Sequence, residues 1–326
     1  MSLLAQEKIP TMSECTIEIS IKGKWCLVPT LSINGKTIIV HGKWIKKAEV
    51  NAEEWLETEL DNPELCVAKL KAQSTGGLRA DVFTFAQKLP VTVPKFAYAM
   101  ELESVAALRT VSFDEWWQSL PQETRKNVRR SQKRGVVVTV RQLDDDLIRD
   151  LAELNNDSPV RQGKTYTHYG KSLDQIRKDQ ESFPDRRELI CAYVGKELIG
   201  FLKLVYRGDV ASILQLLPKA SHYDKRPANA LLAQAVEICQ AKRISYLTYG
   251  KLNYGNKRDS LREFKLRNGF EDMPIPRFYV PLTTKGALWV KCKLYRGILG
   301  ILPPNVIALG LKARTKWQNL KLSMSR

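Results

Sequence analysis

The stretch ISYLTYGKLNYGNKRDSLREFKLRNGF, residues 244–270, decides how the chain is read. Ile244, Tyr246 and Thr248 alternate with Ser245, Leu247 and Tyr249, which predicts a strand. Gly250 and Gly255 bracket a loop rich in Lys, Asn and Tyr. Asn256 or Asp259 can cap the helix that follows, and Gly269 stands where a helix C-terminus takes a left-handed residue. That helix carries Phe264 and Lys265 side by side. A cation beside an aromatic, just past a strand end, suits binding a phosphate or stabilising charge in acyl transfer. Tyr249, Asn253 and Tyr254 follow the strand's C-terminal end, where open α/β sheets place ligands.

Upstream, residues 15–111 read as a small mixed unit. Thr16–Ile21, Trp25–Ile33 and Thr37–His41 are strand-like, with Asn34-Gly35 as a hairpin turn. Ala52–Leu60 is a predicted helix, and Val67–Leu70 and Val82–Phe85 are predicted strands. Ser112–Arg134 reads as two helices separated at Pro121, closed by Gly135 before a strand at Val136–Val140. A helix over Asp144–Leu154 precedes the polar, glycine-broken segment 159–171. Leu189–Val194 and Leu198–Tyr206 then form a hairpin across Gly195, and Val210–Leu217 is a further strand. Pro227 opens a helix whose Leu231, Leu232, Ala235, Val236 and Cys239 recur at helical spacing. Alternating strands and helices after residue 136 predict an α/β sheet covered by helices.

The order of strand, loop, helix, Phe264-Lys265 pair and Gly269-Phe270 close resembles the end of the acyltransferase domain in the GNAT superfamily, and within it the Fem-type peptidyltransferases. The segment from Leu120 to Val136 is similar to that family's entry into the catalytic domain. The resemblance reaches upstream to about residue 80. It implies an α/β fold of tandem GNAT-like mixed sheets flanked by helices, followed by a basic amphipathic tail. The implied parts are a degenerate GNAT-like unit at 1–111, a catalytic unit at 112–284 and the tail at 285–326. It implies transfer of an acyl or aminoacyl group onto an amine or hydroxyl acceptor of the cell-envelope precursor class. No tightly bound cofactor is expected; the donor is either aminoacyl-tRNA or acyl-CoA. GNAT enzymes that use acetyl-CoA hold its pyrophosphate on a glycine-rich turn at a helix N-terminus. The corresponding stretch here, His222–Ala230, has no glycine, which favours the tRNA-borne donor or an altered loop using Lys225 and Arg226.

Lys265, His168 and Tyr249 are the catalytic candidates. Among Tyr166, Tyr169, Lys164 and Lys171, His168 is the best-placed titratable base. It reads equally as a hydrogen-bonding loop residue. Arg161, Gln162 and Lys164 could orient a phosphate or carboxylate, Arg through its bidentate fork. Tyr169, Lys171, Asn253, Tyr254 and Phe264 complete the candidate substrate-binding set. The three histidines lie far apart without metal-ligand spacing, so no metal is expected.

The net charge is +17, and after Asp272 there is no acidic residue but ten basic ones. A second basic cluster runs from Arg125 to Arg134. Such fields attract nucleic acid, anionic lipid or diphosphate substrates, or serve only as solvated faces. The segment 288–322 mixes Trp289, Leu294, Ile298, Leu302 and Ile307 with Lys and Arg, which suits an amphipathic hairpin on an anionic membrane surface. The six scattered cysteines lack a CxxC pair and read as reduced, buried thiols. No apolar run spans a bilayer and no h-region opens the chain, so the expected place is the cytoplasm, with peripheral contact at the inner membrane face. The rival to an enzyme is a basic module that binds RNA or membrane on a retained scaffold. Ordinary acyl-CoA transfer to a small metabolite is a third reading.

Overall fold

The computed structural model describes residues 15–21, 24–56, 58–73, 76–110, 112–161, 164–252 and 260–296. In chain order, the first part contains β1 (Cys15–Ile21), β2 (Lys24–Ile33), β3 (Lys36–His41), β4 (Lys47–Val50), helix α1 (Pro63–Ala72), β5 (Val82–Ala86) and the long β6 (Ala99–Arg109). Then follow α2 (Phe113–Ser119), α3 (Gln122–Lys133), β7 (Val137–Arg141), α4 (Asp145–Asn155), the two-residue strands β8 (Val160–Arg161) and β9 (Lys164–Thr165), and α5 (Leu173–Glu181). The remainder is β10 (Arg187–Val194), β11 (Glu197–Arg207), β12 (Val210–Pro218), α6 (Pro227–Ala241), β13 (Tyr246–Thr248), α7 (Ser260–Arg267), β14 (Glu271–Pro281) and α8 (Thr284–Lys291).

Twelve strands form one continuous sheet in the order β1-β2-β3-β4-β5-β14-β6-β13-β12-β11-β10-β7. Each end builds inward the same way. β1 to β4 are antiparallel, β4 and β5 are parallel, and β5 is antiparallel to β14. From the other edge, β7, β10, β11 and β12 are antiparallel, β12 and β13 are parallel, and β13 is antiparallel to β6. β14 and β6 then pair with each other over nine residue positions. The fold is therefore a topological repeat in which the last strand of each half comes from the other segment of the chain. The cores follow this exchange. Phe278 and Val280 of β14 are buried with Ile33, Ile38, Phe83 and Leu70, whereas Ala106 and Leu108 of β6 are buried with Leu202, Ile213, Leu231 and Val236.

Local chemistry accounts for most elements. Asn34 (φ 49°) and Gly35 (φ 73°) make the two-residue turn between β2 and β3. Asp144 accepts from Leu147 N at 2.7 Å to cap α4. Ser172 and Gln175 make a reciprocal capping box on α5. The far end of α5 is held by Lys203, which is 1% exposed and donates to the carbonyls of Asp179 and Gln180 at 3.0 and 3.1 Å, a cation at a helix C-terminus.

Some expectations are corrected. Residues 67–70 are helical, not a strand: Asn62 caps Leu65 N, Pro63 occupies the first turn, and Cys66 and Leu70 bury one turn apart. The helix expected over 52–60 is only a 3-10 turn at Glu53–Trp55, entered through a left-handed Ala52. All three residues of β13 are buried, because it is central in the sheet, so its apparent alternation does not mark a wet face. Cys66, Cys191 and Cys239 are buried, and burial pushes their thiols up to about 11, about 12 and about 12, but Cys15, Cys26 and Cys292 are exposed. Of the tail, α8 and a 3-10 turn at Leu294–Arg296 are described; residues 297–326 lie outside the described residues. Among the described residues no helix is long and apolar enough to cross a membrane.

Candidate active site

Each parallel pair forks. β12 and β13 pair only from Val210↔Tyr246 to Ser212↔Thr248. Beyond Thr248 the chain stays with β6 through Tyr249 N to Ala106 O (2.9 Å) and Ala106 N to Gly250 O (2.8 Å), while β12 continues with β11 alone. A buried hydroxyl pair, Ser212 Oγ and Thr248 Oγ1 at 2.6 Å, closes the base of this fork. β4 and β5 pair only from Lys47↔Val82 to Glu49↔Thr84, and β5 runs on to Ala86. Because the halves are related by the β6–β14 pairing, both forks open into one cleft of about 610 Å³. β14 contributes Ile275 to its wall. Pro276 accepts Gln87 N at 2.9 Å, so its nitrogen also faces this side, where β5 has already ended.

The cleft carries balanced charge. Arg277 sits between Glu53 and Glu103, 3.0 Å from each. Glu53 also accepts Ala86 N at 2.7 Å; burial outweighs Arg277 and holds its carboxyl above the usual carboxylate range. Lys251 lies 3.8 Å from Glu103. Arg207 donates to Glu54 O and, at 2.9 Å, to Ser212 Oγ. Lys88 donates to Leu56 O, and burial, with the adjacent Arg207 charge, pulls its ammonium down to about 7.

The sequence-derived candidates separate into two groups. Tyr249 lines the cleft. Lys265 does not: it is 0% exposed, its Nζ donates to Lys251 O at 2.8 Å and lies 4.5 Å from the Tyr249 ring centre. Lys265 thus stands behind Tyr249 and fixes the strand-end turn, and it is not the surface lysine its exposed-looking sequence context suggests. Phe264 packs against the core cluster of the second half. The helix stop is as read: Gly269 (φ 85°) accompanies bonds from Phe270 N to Lys265 O and from Gly269 N to Leu266 O. Asn253 and Tyr254 lie outside the described residues.

The 159–171 segment does not line the cleft. Arg161 donates to Pro218 O at 2.8 Å and Leu154 O at 3.1 Å, and its guanidinium lies 4.6 Å from the Tyr166 ring centre. His168 Nδ1 is 3.4 Å from Asp179, and Lys171 donates to the same carboxylate at 2.6 Å. Burial, then Lys171, lowers the His168 pKa from its ordinary 6.5. Tyr169 is exposed. Arg161, His168 and Lys171 act here as ties that fasten β8, β9 and α5 to the end of β12. Gln162 lies outside the described residues, and Lys164 is placed by its backbone pairing with Arg161. Before α6, Arg226 adopts a left-handed conformation (φ 57°), and Pro227, Asn229 and Ala230 of the first turn are buried. Among the described residues no three metal-binding side chains converge.

Glu53, Lys88, Glu103, Arg207 and Arg277 were missed from sequence. They come from five separate stretches of the chain and share no local motif; only the strand exchange assembles them.

No protein-family model matches the chain, and no curated protein matches its sequence. Solved structures do match the fold. One is a crystal structure of FemX, with a TM-score of 0.56 at 13% identity over 85% of this chain and 89% of that one. A second is the C-terminal domain of a putative lysylphosphatidylglycerol synthetase from Agrobacterium fabrum, with a TM-score of 0.54 at 14% identity over 84% and 89%. A third is a conserved protein of unknown function from Bacteroides thetaiotaomicron, with a TM-score of 0.52 at 10% identity over 78% and 86%. The chain has a FemX-like fold. At these identities the likeness concerns architecture, and the chemistry has to be argued from the cleft.

Proposed function

We propose that the chain is an acyltransferase that moves an acyl or aminoacyl group onto an amine or hydroxyl of a cell-envelope precursor. The observation that carries this reading is the shared cleft, where both strand forks open between Tyr249 and Lys251 on one side and Arg277, Glu53 and Lys88 on the other. The acceptor nitrogen or oxygen attacks the donor carbonyl carbon, the donor's C–O or C–S bond breaks, and the acceptor's proton passes to the leaving group. No covalent enzyme intermediate is needed; holding both substrates in one cleft supplies the rate enhancement through positioning. The Tyr249 hydroxyl and the Lys251 ammonium serve the oxyanion of the tetrahedral intermediate. Lys265 is a positioning residue behind Tyr249. The glycine-free approach to α6 favours an aminoacyl-tRNA donor over acyl-CoA, and the exposed Lys126, Arg129 and Lys133 of α3 offer a face for its phosphates.

The test uses the full chain with tRNA charged with labelled amino acids and, separately, labelled acetyl-CoA. Acceptors are membrane lipids and nucleotide-linked wall precursors. Label moving from tRNA into an acceptor fraction, and falling at least about tenfold in Tyr249→Phe, supports the reading. Absence of transfer from both donors overturns it.

A further inference from the structure

Outside the cleft, a second concavity of about 560 Å³ is lined by Lys43, Trp44, Lys46, Arg79, Asp81 and Lys285. Its one anion is already engaged. Asp81 accepts Lys46 N at 3.0 Å and Thr283 Oγ1 at 2.8 Å, and lies 3.9 Å from Lys285 Nζ. The four cations around it are therefore in excess. Trp44 projects from this floor with 69% of its surface exposed.

The platform is built rigidly. Gly42 is at φ 113°, and a Cβ there would sit 2.1 Å from Ile45 O, so the turn that lifts Trp44 accepts only glycine. At Gly286 a Cβ would lie 1.9 Å from Asp81 O, so α8 docks by direct backbone approach. Trp289 is buried beneath α8, while Leu288 is 63% exposed and Lys285 and Lys291 are exposed on the helix. Lys285 joins the two parts: its Nζ donates to Trp44 O and lies 5.4 Å from the indole centre.

We propose that this face docks on an anionic phospholipid surface. Trp44 and Leu288 enter the interfacial layer, and Lys43, Lys46, Arg79 and Lys285 meet headgroup phosphates. An RNA would use the cations and could stack on the indole, but it gives Leu288 no apolar environment; a lipid interface uses both kinds of group. The face lies within the described residues, so it does not depend on residues 297–326, nor on the transfer reaction proposed above.

The test is sedimentation of the full chain with phosphatidylcholine vesicles, with and without phosphatidylglycerol. Wild type binds only the anionic vesicles. Lys43→Glu with Arg79→Glu weakens binding at least about thirtyfold: each basic residue removed at such a surface forfeits about a factor of five, and the two new carboxylates are repelled by it as well. Trp44→Ser weakens it at least about fivefold, and the loss persists at high salt. The charge-matched control Lys178→Glu with Lys196→Glu, on exposed sites elsewhere, binds as wild type. The proposal is overturned if the Lys43/Arg79 and Trp44 variants bind like wild type, if the control loses as much, if neutral vesicles bind equally well, or if bulk RNA displaces the chain from vesicles at equal phosphate concentration. None of these readouts uses transfer activity, so failure here and failure of the acyltransferase reading are distinguishable.

Discussion

Replacing Lys265 separates a positioning role from a surface one. Its side chain is 0% exposed, so Lys265→Ala removes three buried methylenes, worth about 0.8 kcal/mol each. It also takes a donor from Lys251 O, for about 1 kcal/mol more, while removing a buried ammonium returns part of the sum. The net loss is about 3 kcal/mol. For a chain of this size that corresponds to a fall in melting temperature on the order of 6 °C. Lys265→Met keeps the stem and loses only the polar end, so its fall is about 2 °C. Urea titration followed by tryptophan fluorescence, together with calorimetry, reads both variants. The tryptophan at 116 reports directly, since its indole donates to Asn268 O at 3.0 Å, just past α7. An Ala variant that melts within about 1 °C of wild type would refute the buried, positioning role.

Other outcomes follow from the same geometry. Arg161→Ala loses two carbonyl hydrogen bonds and its stacking on Tyr166, so unfolding should be about 2 kcal/mol easier, with any transfer activity little changed. A variant of unaltered stability and lost activity would return Arg161 to the substrate site. The Lys88 ammonium is depressed from 10.5 to about 7, so between those values the unfolded chain binds the proton the folded chain has released. Lys88 therefore makes stability rise with pH across that window, with its penalty fully present below about 7. Lys88→Met should flatten that rise in urea midpoints measured at both ends of the window; an unchanged slope counts against the assignment. Gly286→Ala should loosen α8 and speed hydrogen exchange of its amides, since the added methyl meets Asp81 O. Wild-type protection in that helix would show that the approach is not tight.

How much was legible depended on whether a signal was local. The α7 stop at Gly269, the Asn34-Gly35 turn and the buried face of α6 are set by neighbouring residues, and each appears where its pattern indicates. β6 did not declare itself. Its sequence, AMELESVAALR, is rich in helix formers, and only its place between β14 and β13 makes it extended. Val67 to Leu70 alone is apolar enough for a strand, and the signal that makes it part of α1, the Asn62-Pro63 start, lies upstream. For Lys265, a lysine near a helix end, nothing in the neighbouring sequence reveals the Tyr249 ring that covers it. The polar segment 159–171 looked like a site because it is rich in Arg, His and Tyr; those groups instead satisfy carbonyls and one carboxylate. The cleft charges were invisible because they meet only through pairing across the whole chain.

The strand exchange has a consequence for how the polypeptide is made. β5 has β4 on one side but finds its second partner only when β14 exists, since Val82 pairs with Pro281 and Phe85 with Phe278. A nascent chain that has emerged to residue 111 therefore holds an unfinished sheet whose inner edge is unpaired. It must wait, exposed to chaperones and to wrong partners, until almost all of the described sequence has been synthesised. Excising either segment as an independent piece should yield an aggregation-prone fragment. By the same logic, two such fragments expressed together should rescue one another by trading their last strands.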